Sequence, residues 1–216
     1  MLKKKLKKSL IIACDGEAAS GKSTGAKLIS KKYNLLLINS GLFYRYASKL
    51  VIEEKPKNVI SFLKKQFKNL SYEKIASENL HSQKISDHVG YLAKIKKVRE
   101  IVNITQRKII KNNNRICVEG RDIASKILSR RPKYDVAFYF KCNINVASYR
   151  RWMDLKKKTP LKEVSRSLKN RTRLDKNRTH SPLKKVKDAI LIQTHKLNKK
   201  QMLYKMIETL EKKSLK

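Results

Sequence analysis

Residues 10–24 read Leu10-Ile11-Ile12-Ala13-Cys14-Asp15-Gly16-Glu17-Ala18-Ala19-Ser20-Gly21-Lys22-Ser23-Thr24, and this stretch decides the fold. It opens on a short apolar run, Leu10–Cys14, of the kind found in strands buried on both faces. Gly16 to Ser23 then satisfies G-x-x-x-x-G-K-[ST]. Glycines at those places let the backbone pass close to phosphate oxygens, so that successive N–H groups and a helix N-terminus point at one anion. Lys22 is placed to reach the β- and γ-phosphates of a nucleotide, and the Ser23 hydroxyl to ligate Mg²⁺. The pattern fixes only four positions, so chance matches occur, and the flanks decide. An apolar strand ending at Asp15 precedes the loop, and an amphipathic helix carrying Ala26, Leu28 and Ile29 follows it, as the motif requires. Nucleotide-phosphate binding is therefore expected over Gly16, Glu17, Ala18, Ala19, Ser20, Gly21, Lys22, Ser23 and Thr24.

Outward from this loop, apolar runs recur at Leu35–Ile38, Arg115–Val118, Val136–Phe140 and Ala189–Ile192. Between the runs lie longer helical patterns over Gly21–Tyr33, Leu92–Lys111 and Ile144–Lys156. Strands alternating with helices predict an α/β fold, a parallel sheet covered by helices on both faces. Two stretches break the rhythm. Residues 52–91 read as short helices and loops, and residues 156–183 are very basic and hold Pro160 and Pro182. Both are candidate substrate-covering elements. Lys199–Lys213 reads as an amphipathic helix packing its Met202, Met206 and Leu210 side.

The chain of 216 residues is expected to form a single domain. Its 54 Lys+Arg against 17 Asp+Glu give a net charge of +37, which raises the question of a polyanionic partner. The basic residues run from Lys3 to Lys216 rather than in one block, which favours solvated surface lysines on a protein whose ligands are anionic. Weak, non-specific nucleic-acid affinity is the expected by-product, with no specific nucleic-acid partner. Cys14, Cys117 and Cys142 form no metal pattern and are expected to be buried free thiols. Lys3–Lys8 followed by Leu10–Cys14 imitates a lipoprotein signal, but its apolar stretch is too short, and no run approaches the length of a membrane span. A soluble, cytoplasmic protein is expected.

No N-K-x-D marks a guanine-reading site, and no L-S-G-G-Q marks a transport ATPase. The D-x-x-G at Asp87–Gly90 falls in the helical stretch and reads as coincidence. Small kinases remain, in which arginines supply catalytic charge. Asn39-Ser40-Gly41-Leu42-Phe43-Tyr44-Arg45 follows the second apolar run, and Glu119-Gly120-Arg121-Asp122 follows the third. Ligands of open parallel sheets bind at such strand ends. Arg171, Asp175 and Arg178 stand at helical spacing, either as an intrahelical salt-bridge row or as one face turned to a ligand.

Together these motifs resemble bacterial cytidylate kinase, from about Leu10 to Leu210. The carriers are Asp15-Gly16 with Ala18–Lys22, Ser40-Gly41 with Tyr44-Arg45, Val98-Arg99-Glu100 with Gln106-Arg107, Gly120-Arg121-Asp122-Ile123, Arg150-Arg151, and Arg171, Asp175 and Asn177-Arg178. The resemblance implies a P-loop NTPase fold with a five-stranded parallel sheet, a monophosphate-binding insert near 52–91 and a lid near 150–183. The core would then comprise 9–51, 92–149 and 184–216. It implies transfer of a phosphoryl group from ATP, with Mg²⁺, to CMP or dCMP by a monomer. Arg45, Arg121 and Arg178 match acceptor-phosphate arginines, and Arg107 and Asp122 match cytosine readers. Arg171 and Asp175 match ribose contacts. Ser40 matches a residue lining the acceptor site, with Tyr44 beside it, and Arg150 and Arg151 match lid-base arginines. Lys22, Arg150, Arg151, Arg171, Asp175 and Arg178 would form the catalytic set.

Several positions depart from the family pattern. Glu17 stands where Pro is usual and puts a carboxylate in an anion-binding loop; its side chain is expected to turn outward. Gly90 stands where many members have a cytosine-contacting Ser, which loosens the expected base discrimination. Ala124-Ser125-Lys126 replaces a Gly-Thr continuation, and Thr172, Arg173 and Leu174 replace acidic neighbours. The rival expectations are another acceptor, UMP or AMP, and a basic RNA-associated protein whose kinase site is idle.

Overall fold

The computed structural model describes residues 9–214, so the basic tract Lys3–Lys8 lies outside the described residues. The chain divides into two compact units, Ile38–Asn113 and the described residues of Met1–Leu37 with Asn114–Lys216. Five strands, β1 (Leu10–Gly16), β2 (Leu36–Asn39), β3 (Arg115–Gly120), β4 (Val136–Lys141) and β5 (Ile190–Gln193), form one sheet in the order β2-β3-β1-β4-β5. All five coincide with the apolar runs of the sequence to within about two residues at each end. β1 pairs in parallel with β3 and β4, and β4 with β5. The central strand β1 is buried along its whole length, which explains its unbroken apolar run.

In the sheet-bearing unit, α1 (Lys22–Tyr33) leaves the loop after β1 and packs with α9 (Lys199–Ser214). Their apolar sides meet Ile12, Phe138, Phe140 and Ile192 in a core that takes in Ala26, Ile29, Met202, Met206 and Leu210. This is the side of the final helix that its periodicity predicts. α1 ends at Asn34, whose left-handed backbone lets its N–H return to the Ser30 carbonyl behind Lys31 and Lys32. α7 (Ile144–Asp154) and α8 (Leu161–Asn177) pack together over a small core of Cys142, Ala147, Val164 and Leu168. All three cysteines are buried and free, as expected, with Cys14 and Cys117 3.7 Å apart at sulfur.

The other unit contains α2 (Ser40–Glu54), α3 (Val59–Phe67), α4 (Tyr72–Ser77), α5 (Gln83–Leu92) and α6 (Lys96–Lys111). The first four start on the side chains of Asn39, Asn58, Ser71 and Ser82, each accepting a hydrogen bond from a backbone N–H two or three residues on. The unit's centre holds Leu63, Phe67, Ile75 and Leu80, all nearly or fully buried. No helix among the described residues is long and apolar enough to cross a membrane.

Candidate active site

The loop after β1 is shaped by backbone constraints that only certain residues meet. A Cβ on Gly16 would stand 2.5 Å from the Phe140 carbonyl oxygen. Gly21 has φ +80° and begins α1 without a side-chain cap, so the helix presents its first N–H groups and its positive dipole end to the loop. Thr194, just past β5, buttresses the loop by donating its hydroxyl to the Ser20 carbonyl at 2.9 Å. Arg150 on α7 donates to the Thr194 carbonyl at 3.1 Å, which ties α7 to the same support. Its neighbour Arg151 is exposed on α7.

Lys22 is 9% exposed and its ammonium is pushed down to about 7 by burial and then by the charge of Arg121. Glu119 works against the shift, Arg171 adds to it and Asp175 opposes it. A buried, partly deprotonated lysine at the start of a helix is a site waiting for negative charge. Glu119 is the acid closing β3, buried with one carboxylate oxygen lacking a hydrogen-bond partner. Glu119 opens the Glu119-Gly120-Arg121-Asp122 stretch of the sequence, which by itself gives this acid no role; its place directly after Ile116, Cys117 and Val118 is the signal for one.

Asp15, one residue before the loop, was likewise missed as a functional group. Its carboxylate accepts from the Ile123 and Ala124 amides, both at 2.8 Å, and is fully enclosed. Burial pushes it up to about 6 against the pull of those amides. The two amides open a single π-helical turn, Ile123–Ile127, in which the Leu128 amide returns to the Ile123 carbonyl at 2.7 Å. That turn sets the direction in which Arg121 and Asp122 leave β3.

Four charged side chains form a chain beside Lys22. Arg121 Nε lies 2.8 Å from Asp175 Oδ2, and Arg178 lies 3.5 Å from both Asp175 and Asp122. All four are at most 18% exposed. The sequence places Arg178 on the helix with Arg171 and Asp175; instead α8 ends at Asn177 and Arg178 is extended, with φ −68° and ψ 140°. The turn out of the helix lets its guanidinium reach Asp122 and the Ser181 carbonyl, which a helical residue could not do at once. Arg178 thus pairs with Asp175 three residues away, as a salt-bridge row would, and also across to Asp122 just after β3. Each arginine is held by a carboxylate, which fixes the orientation of its guanidinium.

Glu17 does not turn out to solvent. Its carboxylate is 13% exposed and pairs at 2.7 Å with Lys176 on the last turn of α8. One turn earlier, Thr172 accepts from the Ala18 amide at 3.4 Å, so α8 touches the loop at two points. Lys176 neutralises the charge that Glu17 would otherwise bring to an anion site. Lys176→Met is expected to raise the KM for ATP about three- to tenfold with kcat little changed. The same change in a Glu17→Gln background should have almost no effect, and equal effects in both backgrounds would sink this account.

In the helical unit, Ser40 is the buried first residue of α2, and Arg45 donates to the Leu80 carbonyl at 2.8 Å and to Ser86 Oγ at 3.0 Å. Tyr44 lies under the Arg99 guanidinium, 5.4 Å from the ring centroid. Arg107 is exposed on α6, whereas its neighbour Gln106 is fully buried with neither amide atom bonded. Gly90, on α5, has open space where a Cβ would stand.

Comparison with known proteins identifies the family. The family model described as cytidylate kinase matches residues 12–212. A cytidylate kinase of Alkaliphilus oremlandii is 32% identical, covering 93% of this chain and 97% of that one. One from Fusobacterium nucleatum is also 32% identical, covering 94% and 98%. A bifunctional pantoate ligase/cytidylate kinase of Prochlorococcus marinus is 30% identical over 94% of this chain, which spans 42% of that longer protein. Among solved structures, an uncharacterised Eubacterium ventriosum protein superposes with a TM-score of 0.59 at 16% identity, covering 95% of this chain and 99% of that one. A Thermus thermophilus protein gives 0.53 at 15%, covering 95% and 97%. These two likenesses speak for the α/β P-loop fold. A family match running nearly from β1 to the last turn of α9, with relatives of equal length aligned almost end to end, means that the chain belongs to the cytidylate kinase family.

Proposed function

We propose that this chain transfers the γ-phosphoryl group of ATP to CMP or dCMP, giving ADP and CDP or dCDP. An oxygen of the acceptor phosphate attacks the γ-phosphorus while the bond to the β–γ bridging oxygen breaks, and ADP leaves with that electron pair. The attacking oxygen is already ionised, so no protein base is required. The observation that carries the reading is the Arg121–Asp175–Arg178–Asp122 chain beside Lys22. Transfer between two phosphorylated nucleotides brings several negative charges together, and fixed cations are what offsets them.

In this reading the loop from Gly16 to Thr24 holds the ATP phosphates, with Lys22 on the moving group. Arg121 and Arg178 take the CMP phosphate, Asp122 takes the cytosine amino group, and Asp175 and Arg171 take the ribose. Ser40, Tyr44, Arg45 and Arg107 of the helical unit add contacts to CMP. Arg150, Arg151 and the segment 150–183 serve as the lid that excludes water from the transfer. Mg²⁺ prefers oxygen ligands, and two side chains would offer them: the exposed Ser23 hydroxyl at the start of α1 and the carboxylate oxygen of Glu119 that has no hydrogen-bond partner. Bound there with ATP, the ion would supply charge neutralisation at the phosphates. We place the enzyme in the cytoplasm as a monomer.

The test is an ADP-coupled assay with ATP and Mg²⁺ against CMP, dCMP, UMP, AMP and no acceptor. Rates with CMP and dCMP should far exceed those with UMP and AMP. Gly90→Ser, for which the structure has room, should raise the CMP over UMP ratio several-fold and cost no stability, since Gly is the poorer helix residue. Equal rates with CMP and UMP would keep the kinase and remove the assigned base reading. A folded, ATP-binding protein with no acceptor-dependent rate would overturn the proposal.

A further inference from the structure

Between α7 and α8 runs an open groove of about 880 Å³, lined by Asn145 and Ser148 on one side and by Leu161, Ser165, Asn170 and a row of cations on the other. The cations are Lys162, Arg166, Lys169 and Arg173, all exposed. Their spacing of four, three and four residues keeps them on one face of α8 and spreads them over ~16 Å of helix. No carboxylate lines the groove. The carboxylates of the two helices, Asp154, Glu163 and Asp175, all lie outside its walls.

The floor of the groove carries a second, independent signal. Ser148 is 2% exposed, and its hydroxyl has no hydrogen-bond partner. A buried hydroxyl without a partner costs free energy that a ligand oxygen can recover. The next residue, Tyr149, is 54% exposed and stands 5.9 Å from the Trp152 ring, which Lys157 covers at 5.1 Å. Trp152 is half-buried against the small core, so Tyr149 is the exposed ring beside the cationic groove, a face on which a base can stack while phosphates track the charge.

The geometry points to a binding site for single-stranded RNA on this face, separate from the phosphate loop. We infer RNA from three features together. Cations strung in a line suit repeated phosphates, where a lone phosphate would need them to converge. The exposed Tyr149 ring suits an unstacked base, which a duplex does not offer. The Ser148 hydroxyl and the Asn145 amide can both donate to and accept from a 2′-hydroxyl, and Asn170, whose Oδ1 accepts from Arg173 at 3.0 Å, can donate to one. Sequence preference is not built in, since every base has a face to stack. This goes beyond weak affinity from diffuse charge, because it names one face.

The experiment is fluorescence anisotropy with a labelled 12-mer RNA strand over a salt series. Replacing Lys162, Arg166, Lys169 and Arg173 together by Gln should weaken binding about 30-fold or more at 0.1 M salt and lower the salt slope by about 3. Removing four exposed lysines elsewhere, Lys32, Lys199, Lys200 and Lys205, should change it less than about threefold. Tyr149→Ala should cost about tenfold. In the unaltered protein, RNA should slow hydrogen exchange along α7 and α8 and leave α9 unchanged, a readout independent of how any variant folds. Equal losses in the two four-residue variants would overturn the site as diffuse attraction. Equal affinity for duplex RNA or for the matching DNA strand would overturn the assignment to single-stranded RNA.

Discussion

Lys22→Met is expected to lower kcat by about 10³-fold or more while leaving the melting temperature at pH 7 unchanged or higher. The two halves of this result have one cause. Burial and the neighbouring Arg121 push the Lys22 ammonium from 10.5 down to about 7, so the empty site holds its proton poorly. A depression of that size corresponds to a folding penalty on the order of 5 kcal/mol. Because the unfolded chain binds this proton more tightly, the penalty is fully present below about pH 7 and fades as pH rises towards 10.5. ATP reverses the balance by bringing the negative charge for which the lysine is held. Met fills the same volume without the charge, so the fold keeps or gains stability while the moving phosphoryl group loses its cation. Thermal unfolding at pH 7 and pH 9 checks the first half, since any advantage of the variant should shrink at the higher pH. A coupled assay checks the second. Near-full activity in Lys22→Met, or a clearly lower melting temperature, would remove Lys22 from its assigned role.

The parts of this molecule that were legible in the sequence are those written in consecutive residues. The strand, loop and helix from Leu10 to Tyr33 are local: an apolar run, two glycines and an amphipathic pattern specify them without help from elsewhere. The remaining strands were legible because a parallel sheet covered on both faces demands unbroken apolar runs. The helix starts at Asn58, Ser71 and Ser82 were written just as locally, in capping residues within a stretch that gave no strand.

What was hidden depends on contacts between residues far apart. Glu17 and Lys176 are 159 residues apart, and nothing near Glu17 says that a lysine on the last turn of α8 covers it. Its expected outward turn therefore missed the pairing. Arg178 was read as helical because its spacing from Asp175 fits a helix, but Asp122 and the Ser181 carbonyl draw it out of one. The π-helical turn after Asp122 has no periodicity to detect over five residues, and its cause, the Asp15 carboxylate, lies 108 positions earlier. Glu119 is legible as a strand-end residue after its apolar run, but the burial of its side chain shows only in the fold.

Asp15→Ala is expected to cost about 3–5 kcal/mol of unfolding free energy at pH 7, the largest stability loss assigned here to a single polar side chain. Removing the carboxylate leaves the Ile123 and Ala124 amides buried without acceptors, each worth about 1–3 kcal/mol. Asp15→Asn keeps one acceptor and should cost roughly half as much. Urea unfolding measures both. The pH dependence separates this cause from a plain packing defect. The folded-state pKa of Asp15 is raised from 3.8 to about 6, so between those values the native protein binds the proton more tightly than the unfolded chain does. Wild type should therefore gain stability relative to Asp15→Asn as pH falls from 7 to 5. Activity should fall by more than stability requires, because those two amides fix the turn that directly follows Arg121 and Asp122, and a displacement of about 1 Å there can cost about 10²-fold. Asp15→Asn, still folded at 25 °C, should consequently lose at least tenfold in kcat. A loss below about 1 kcal/mol in Asp15→Ala, or an Asn variant with full kcat, would show that the turn holds its shape without Asp15.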